Sequence, residues 1–155
     1  MKKIIIMLFG LLLVSGVYAE TKPMSFGINF GMMTDDSFKF DYYYPGVGVE
    51  LDFQLGDYLM LSPEVTLYSI KFEFDTLLLY PGATLNFTAS NFFIGGGVVK
   101  PIAISGGESY SSDFALKLNA GFLSPSVKFT AYLITAFDNL FKSGMMIGAS
   151  LGFRF

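Results

Sequence analysis

The sequence contains no cysteine and no histidine. Without a thiol there is no disulfide and no lipid-modified N-terminal cysteine. Without an imidazole, the general base shared by Ser–His and Cys–His hydrolases is missing, and so is the commonest transition-metal ligand, which leaves only carboxylate sites. Charge is scarce as well, at 15% of residues against 52% hydrophobic and 17% aromatic, too apolar for an ordinary soluble domain. Yet beyond residue 19 no apolar run is long enough for a spanning helix, which needs about 20 residues. The hydrophobicity must be delivered in another pattern.

That pattern is alternation. Residues 144–155 read GMMIGASLGFRF, with Met145, Ile147, Ala149, Leu151, Phe153 and Phe155 on one face and Gly144, Met146, Gly148, Ser150, Gly152 and Arg154 on the other. A period of two marks a strand. Its unbroken apolar face ends on Phe-x-Phe, and lipid is the expected cover. In a barrel the last strand must pair with the first, because an open sheet edge cannot persist in hydrocarbon. Residues 24–33 have the matching pattern: Met24, Phe26, Ile28, Phe30 and Met32 alternate with Ser25, Gly27, Asn29 and Gly31.

At the start, Lys2 and Lys3 lead into an apolar run at 4–14 and then Ser15-Gly16-Val17-Tyr18-Ala19, the form of a signal peptide cleaved after Ala19. The expected organisation is a signal peptide at 1–19 and one outer-membrane β-barrel domain at 20–155. Loss of Lys2 and Lys3 takes the 10 Lys and Arg to 8 against 13 Asp and Glu, a net charge of −5 that makes nucleic acid a poor partner.

Six further strands follow the same rule. At 44–55, Val47, Val49, Leu51 and Phe53 oppose Gly46, Gly48, Glu50, Asp52 and Gln54. At 58–69, Leu59, Leu61, Val65 and Leu67 oppose Ser62, Glu64, Thr66 and Tyr68, with Pro63 costing one ladder hydrogen bond. At 76–87, Leu77, Leu79, Ala83, Leu85 and Phe87 oppose Thr84 and Asn86. The fifth strand begins at Phe92 with Ile94 and Val98 outward; Gly95-Gly96-Gly97 permits a bulge that would exchange the faces beyond it and lets Lys100 point either way. At 113–122, Phe114, Leu116, Leu118, Ala120 and Phe122 oppose Asp113, Lys117, Asn119 and Gly121. At 126–137, Val127, Phe129, Ala131 and Leu133 oppose Lys128, Thr130 and Tyr132.

Short turns are expected at Gly56-Asp57, 88–91 and Leu123-Ser124-Pro125, and longer charged loops at 34–41, 70–75, 105–112 and 138–143. The fold class is therefore all-β: an eight-stranded antiparallel up-and-down transmembrane β-barrel. The parity of the loops puts both termini and the short turns on the periplasmic side and the longer loops outside the cell.

Alternation also fits a soluble calyx whose apolar face lines a pocket. The polar faces decide between the two. Apart from Asp113 at a strand end, they carry many glycines and only three acids, Glu50, Asp52 and Glu64, with three bases, Lys117, Lys128 and Arg154, too few for a solvated exterior. They suit the interior of an eight-stranded barrel, which is just wide enough to be filled by its own side chains. Counting from the turns puts Glu50, Glu64 and Lys117 at mid-depth and Asp52, Lys128 and Arg154 lower, with Tyr68 and Tyr132 filling space the glycines leave. The expected site is an interior ion network rather than a paired-carboxylate hydrolase, since every acid has a base to meet. No catalytic residue, cofactor or metal is expected. The loop acids Asp35, Asp36, Asp41, Glu73, Asp75, Glu108 and Asp138 lack the spacing of a Ca²⁺ or Mg²⁺ loop and read as solvated charge. Tyr42-Tyr43-Tyr44 reads as part of an interfacial aromatic girdle.

Three motifs, LSPEVTLY at 61–68, FFIGGGVV at 92–99 and the closing GASLGFRF at 148–155, together resemble the outer membrane protein β-barrel domain family, often labelled "porin family", of small eight-stranded barrels akin to the OmpA and OmpX type. The resemblance covers the whole mature chain. It implies that the final strand, through Phe153 and Phe155, is the signal read by the outer-membrane assembly machinery. That signal usually has Gly five residues before the final aromatic, where this chain has Ser150. The family carries no agreed biochemical activity. The expected function is a non-enzymatic integral barrel of a Gram-negative outer membrane with a structural or surface-interaction role, the alternative being a narrow barrel that passes ions or small apolar molecules. Expected partners are outer-membrane lipid and lipopolysaccharide, and the barrel assembly machinery and periplasmic chaperones during biogenesis.

Overall fold

The computed structural model describes residues 23–36, 42–140 and 144–155; the signal peptide expected at 1–19 lies outside the described residues. Among the described residues the chain forms ten strand segments, β1 (Met24–Asp35), β2 (Tyr43–Gln54), β3 (Leu59–Ile70), β4 (Glu73–Ala89), β5 (Phe92–Val99), β6 (Ile102–Ser105), β7 (Glu108–Ser111), β8 (Ala115–Leu123), β9 (Val127–Ala136) and β10 (Met146–Arg154). Every pairing is antiparallel, and the order β1-β2-β3-β4-β5-β8-β9-β10 returns to β1, where Phe30 lies opposite Leu151. The sheet is a closed eight-stranded barrel. Segments β6 and β7 extend β5 and β8 beyond a break; they pair with each other, and β6 also pairs with β4.

The break is made by proline chemistry. Pro81 and Pro101 have no N–H to give the ladder, so the bonds that remain there run from the Lys100 N–H to the Pro81 carbonyl at 2.9 Å and from the Ser112 N–H to the Pro101 carbonyl at 2.9 Å. On one side of the break Val99 opposes Ala115, and on the other Ile102 opposes Ser111. Residues 112–114 thus face only 100–101, a bulge of one extra residue on the sixth crossing. No bulge falls at Gly95-Gly96-Gly97, which keep register with β4 and β8 throughout. Lys100 stays on the outward phase of Ile94 and Val98, its Nζ 5.3 Å from the Phe114 ring centroid.

Two of the expected loops are ordered hairpins instead. The segment expected as a loop at 70–75 is a two-residue turn, Lys71-Phe72, from which β4 starts at once at Glu73. The Gly/Ser segment at 105–112 folds as the β6–β7 hairpin around Gly106 and Gly107, with φ of 59° and 85°. A Gly-Gly pair supplies the positive φ that a two-residue hairpin turn needs. Outside hydrocarbon such strands need no apolar face, which is why alternation did not reveal them.

The faces follow the sequence pattern, and they are inverted relative to a water-soluble protein. Phe30, Phe87, Ile94 and Leu151 point out and are exposed, while Asp52, Asn86 and Lys128 point in and are at most 2% exposed. That removes the calyx, whose charges would meet water. From Leu77 to Phe87 the outward face of β4 is apolar, a length that gives the ~25 Å band of a tilted membrane strand. The aromatic rings thicken at the end that carries the chain termini, where Tyr58 stacks on Phe87 at 5.9 Å and Phe92 meets Phe122 edge-on at 5.7 Å.

Candidate functional site

The lumen collects the six charged residues singled out in the sequence, and it sorts them by strand. The acids Glu50 and Asp52 come from β2 and Glu64 from β3; the bases come from β8 (Lys117), β9 (Lys128) and β10 (Arg154). In the ring β8 and β3, and likewise β9 and β2, are separated by two strands, so the Lys117 and Lys128 pairs cross the interior, whereas Arg154 and Asp52 have only β1 between their strands.

Glu50 and Glu64 are direct neighbours in the β2–β3 register. Like charges in that position repel, and each is turned to its own cation. Lys117 pairs with Glu64, both side chains nearly buried. Lys128 reaches between two residues on the same face of β2, its Nζ 3.0 Å from Glu50 Oε2 and 2.8 Å from Asp52 Oδ1. Glu50 and Glu64 share a level, as counting from the turns expects, but Glu50 pairs with Lys128 rather than with Lys117. A height counted along a strand says nothing of how far a four-carbon stem reaches across the lumen.

Arg154 completes the lower layer. Its Nε lies 3.3 Å from Asp52 Oδ2, while Nη1 donates to the Ser124 carbonyl at 2.9 Å and Nη2 to Ser25 Oγ at 2.6 Å. From Asp52 the polar network continues around the wall. Ser62 Oγ donates to Asp52 Oδ1 at 2.6 Å, Asn86 Nδ2 donates to Ser62 and Thr84, and Asn119 Nδ2 donates to Thr84 at 3.4 Å. With three acids against three bases the layer is formally neutral, and each carboxylate is held by a cation.

Apolar clusters flank this ionic layer on either side. Toward the far end, away from the termini, Met33, Tyr68, Tyr80, Val99, Tyr132 and Ile134 pack as one cluster. The hydroxyls of Tyr68 and Tyr132 hydrogen-bond across the barrel at 2.8 Å, and Tyr80 meets Tyr68 edge-on at 5.4 Å. Toward the terminal end, Met60, Phe93 and Leu123 form a second cluster. The cations touch both layers: Lys117 Nζ lies 4.8 Å from the Tyr132 ring centroid and Lys128 Nζ 5.2 Å from that of Phe93. Glycine makes the room. A Cβ on Gly46 would stand 2.4 Å from Tyr68 Cδ1, and one on Gly148 2.4 Å from Tyr132 Cζ.

Sequence reasoning named Tyr68 and Tyr132 but missed Tyr80 and Phe93. Phe93 shares the inward phase of Gly95 and Gly97, and that phase was hidden between apolar Phe92 and Ile94. Tyr80 shares the phase of Thr84 and Asn86, across Pro81.

Phe153 and Phe155 lie on the outer surface at the terminal end, and both are exposed. The seam there is backbone-paired: the Phe155 N–H donates to the Phe26 carbonyl at 2.9 Å and the Phe26 N–H to the Phe155 carbonyl at 3.3 Å. No cluster of metal-ligating side chains occurs among the described residues.

The polar groups of the lumen are directed at one another: each of the three carboxylates faces a cation, and an apolar cluster packs on either side of them.

No protein-family model matches the chain, and no curated protein matches it. Solved structures do. A de novo designed transmembrane β-barrel superposes with a TM-score of 0.56 at 9% identity, covering 88% of this chain and 100% of its own. The N-terminal β-barrel domain of Pseudomonas aeruginosa OprF gives 0.50 at 16% identity over 84% of this chain and 97% of its own. The designed barrel TMB2.3 gives 0.50 at 12% identity over 88% and 98%. At such identities the likeness is one of fold: this chain has the architecture of an outer-membrane-type transmembrane β-barrel.

Proposed function

We propose that the chain is a non-enzymatic integral outer-membrane β-barrel of a Gram-negative bacterium, allied to the small "porin family" barrels, with a structural or surface-contact role. Both termini and the short turns face the periplasm, and the far-end hairpins face the exterior. Lipid and lipopolysaccharide surround the band, and the assembly machinery reads the strand that ends in Phe153 and Phe155. The observation that supports this reading is the lumen: a neutral, mutually paired ionic layer between two apolar clusters suits a barrel that works by standing in the membrane and presenting its outer hairpins.

Two measurements test it. Planar-bilayer recording of the purified barrel is expected to give no steady single-channel conductance; steady conductance would move the assignment to the transport alternative. Because the chain has no cysteine, single cysteines at Phe74 and Asp57 can be labelled on intact cells with a membrane-impermeant maleimide. Phe74→Cys is expected to label and Asp57→Cys to stay protected, and the opposite outcome reverses the topology.

A further inference from the structure

The outer edge of the lipid-facing band is not level, and it steps down at the proline break. On β4 and β6 the outward face stays apolar up to Leu77 and Ile104, which lie opposite each other. Across the next ladder β7 sets Ser109 opposite Ile104 and Ser111 opposite Ile102, and directly opposed residues share a face. The outward side chains of β7 are therefore hydroxyls, and both serines are exposed. At the foot of this step, on the outward phase of Ile94 and Val98, stands Lys100.

Lys100 interrupts a face that is otherwise apolar. Phe92 lies in the aromatic rim at the terminal end, and Lys100 follows it by eight residues. A tilted strand that rises about 2.5 Å per residue along the barrel axis lifts it about 20 Å through the ~25 Å band. Lysine on a lipid face is costly away from the interface, and its stem carries the ammonium outward toward the headgroups. The protein offers that ammonium no counter-ion. The ion pairs among the described residues all lie in the lumen, although Glu108 and Asp113 are exposed on the same side of the barrel. What Lys100 Nζ has is the face of the Phe114 ring, 5.3 Å from its centroid.

We infer that Lys100, Ser109 and Ser111 form a notch that binds the phosphate of an outer-leaflet lipid, the lipid A of lipopolysaccharide. The ammonium and the two hydroxyls donate to the phosphate oxygens, and the acyl chains run down the apolar face past the outward pair Val98 and Leu116. The choice of ligand follows from the place. The notch opens sideways into the membrane, below the hairpin tips, where an anion arrives only on a lipid. The inference rests on the topology proposed above, which puts this end of the barrel in the outer leaflet.

The test is a titration of the purified full barrel in detergent with lipid A, read by native mass spectrometry, with lipid A stripped of its phosphates as the reference. Lipid A is expected to be retained more tightly than the stripped form. Lys100→Gln is expected to weaken its binding about tenfold or more, and Ser109→Ala with Ser111→Ala about threefold, since hydrogen bonds that involve a charged donor are the stronger kind. Lys100→Arg keeps the cation and is expected to stay within about threefold of the native barrel. Lys71→Gln, at the β3–β4 turn, is expected to leave binding unchanged, and the heat-modifiable band shift verifies that each variant is folded. Equal retention of the stripped lipid, binding unaltered by Lys100→Gln, or an equal loss from Lys71→Gln overturns the proposal. Displacement of lipid A by inorganic phosphate overturns the lipid as the source of the anion. The underlying topology fails separately: if Phe74→Cys stays unlabelled on intact cells, Lys100 lies in the inner leaflet and lipid A is not its ligand, whatever the detergent result.

Discussion

Glu64→Ala is expected to lower the unfolding free energy of the barrel in lipid by about 3 kcal/mol, the lower end of the range for removing one partner of a buried ion pair. The structure argues for the lower end in two ways. Lys117, left behind, keeps the Tyr132 ring face, and a cation–π contact at a desolvated site is worth about 2 kcal/mol. Glu50 meanwhile loses the like charge directly opposite it on β3. Adding Lys117→Ala removes the stranded cation and is expected to return about 1 to 2 kcal/mol, with the remaining loss set by the space the two side chains filled. Since the chain has no tryptophan, urea unfolding from liposomes is best followed by far-UV circular dichroism together with the heat-modifiable band shift on gels. Glu108→Ala, at the exposed β7 hairpin, serves as the control and is expected to change stability by less than about 0.5 kcal/mol. If the Glu64 and Lys117 losses add to within about 0.5 kcal/mol, the two residues are uncoupled and the ion-network account of the lumen is refuted.

Leu118→Arg and Leu151→Arg, both on the lipid face, are expected to destabilise the barrel by about 2 to 4 kcal/mol in liposomes, with the alanine variants at the same positions much milder; equal losses would mean the faces are misassigned. Gly46→Ala is expected to destabilise more than Gly148→Ala, because its new Cβ meets the inner part of the Tyr68 ring and, at 3.0 Å, the Leu67 carbonyl, whereas Gly148 meets only the far end of Tyr132; the same urea titration decides. Deleting Phe155 is expected to lower the amount of assembled barrel in the membrane without altering the stability of the molecules that do assemble, which quantitative band-shift gels can separate from urea midpoints.

Much of this architecture can be read from residue order because a membrane barrel forces one rule on every crossing. Once Phe30 or Leu151 must face lipid, Asn29 and Ser150 must face the lumen, and a period of two carries that choice from end to end. The rule stops where the hydrocarbon stops. Phe72 and Phe74 alternate with Lys71, Glu73 and Asp75, but no buried face interprets the pattern there, so the continuation of β4 to Glu73 was hidden. At 112–114 the extra residue follows from a pair of prolines, Pro81 and Pro101, that are neighbours only in three dimensions. Within the lumen, parity identified the inward charges but not their partners: Lys128 could be placed at its depth, yet its bridge between Glu50 and Asp52 depends on the width of the closed ring.

The division of charge between strands gives the two halves of the chain an affinity for each other. Among the described residues, the inward acids lie on β2 and β3 and the inward bases on β8, β9 and β10. Cut at the Ser90-Asn91 turn, the barrel becomes two half-shells whose inner walls carry three negative and three positive charges. Two copies of the same half are expected to close poorly, because closure would bring like charges together inside the barrel. One copy of each half avoids this. The lumen is thus expected to act as a polarity key that favours the second half of the chain over a duplicate of the first. Separately produced halves should recombine with each other and not with themselves.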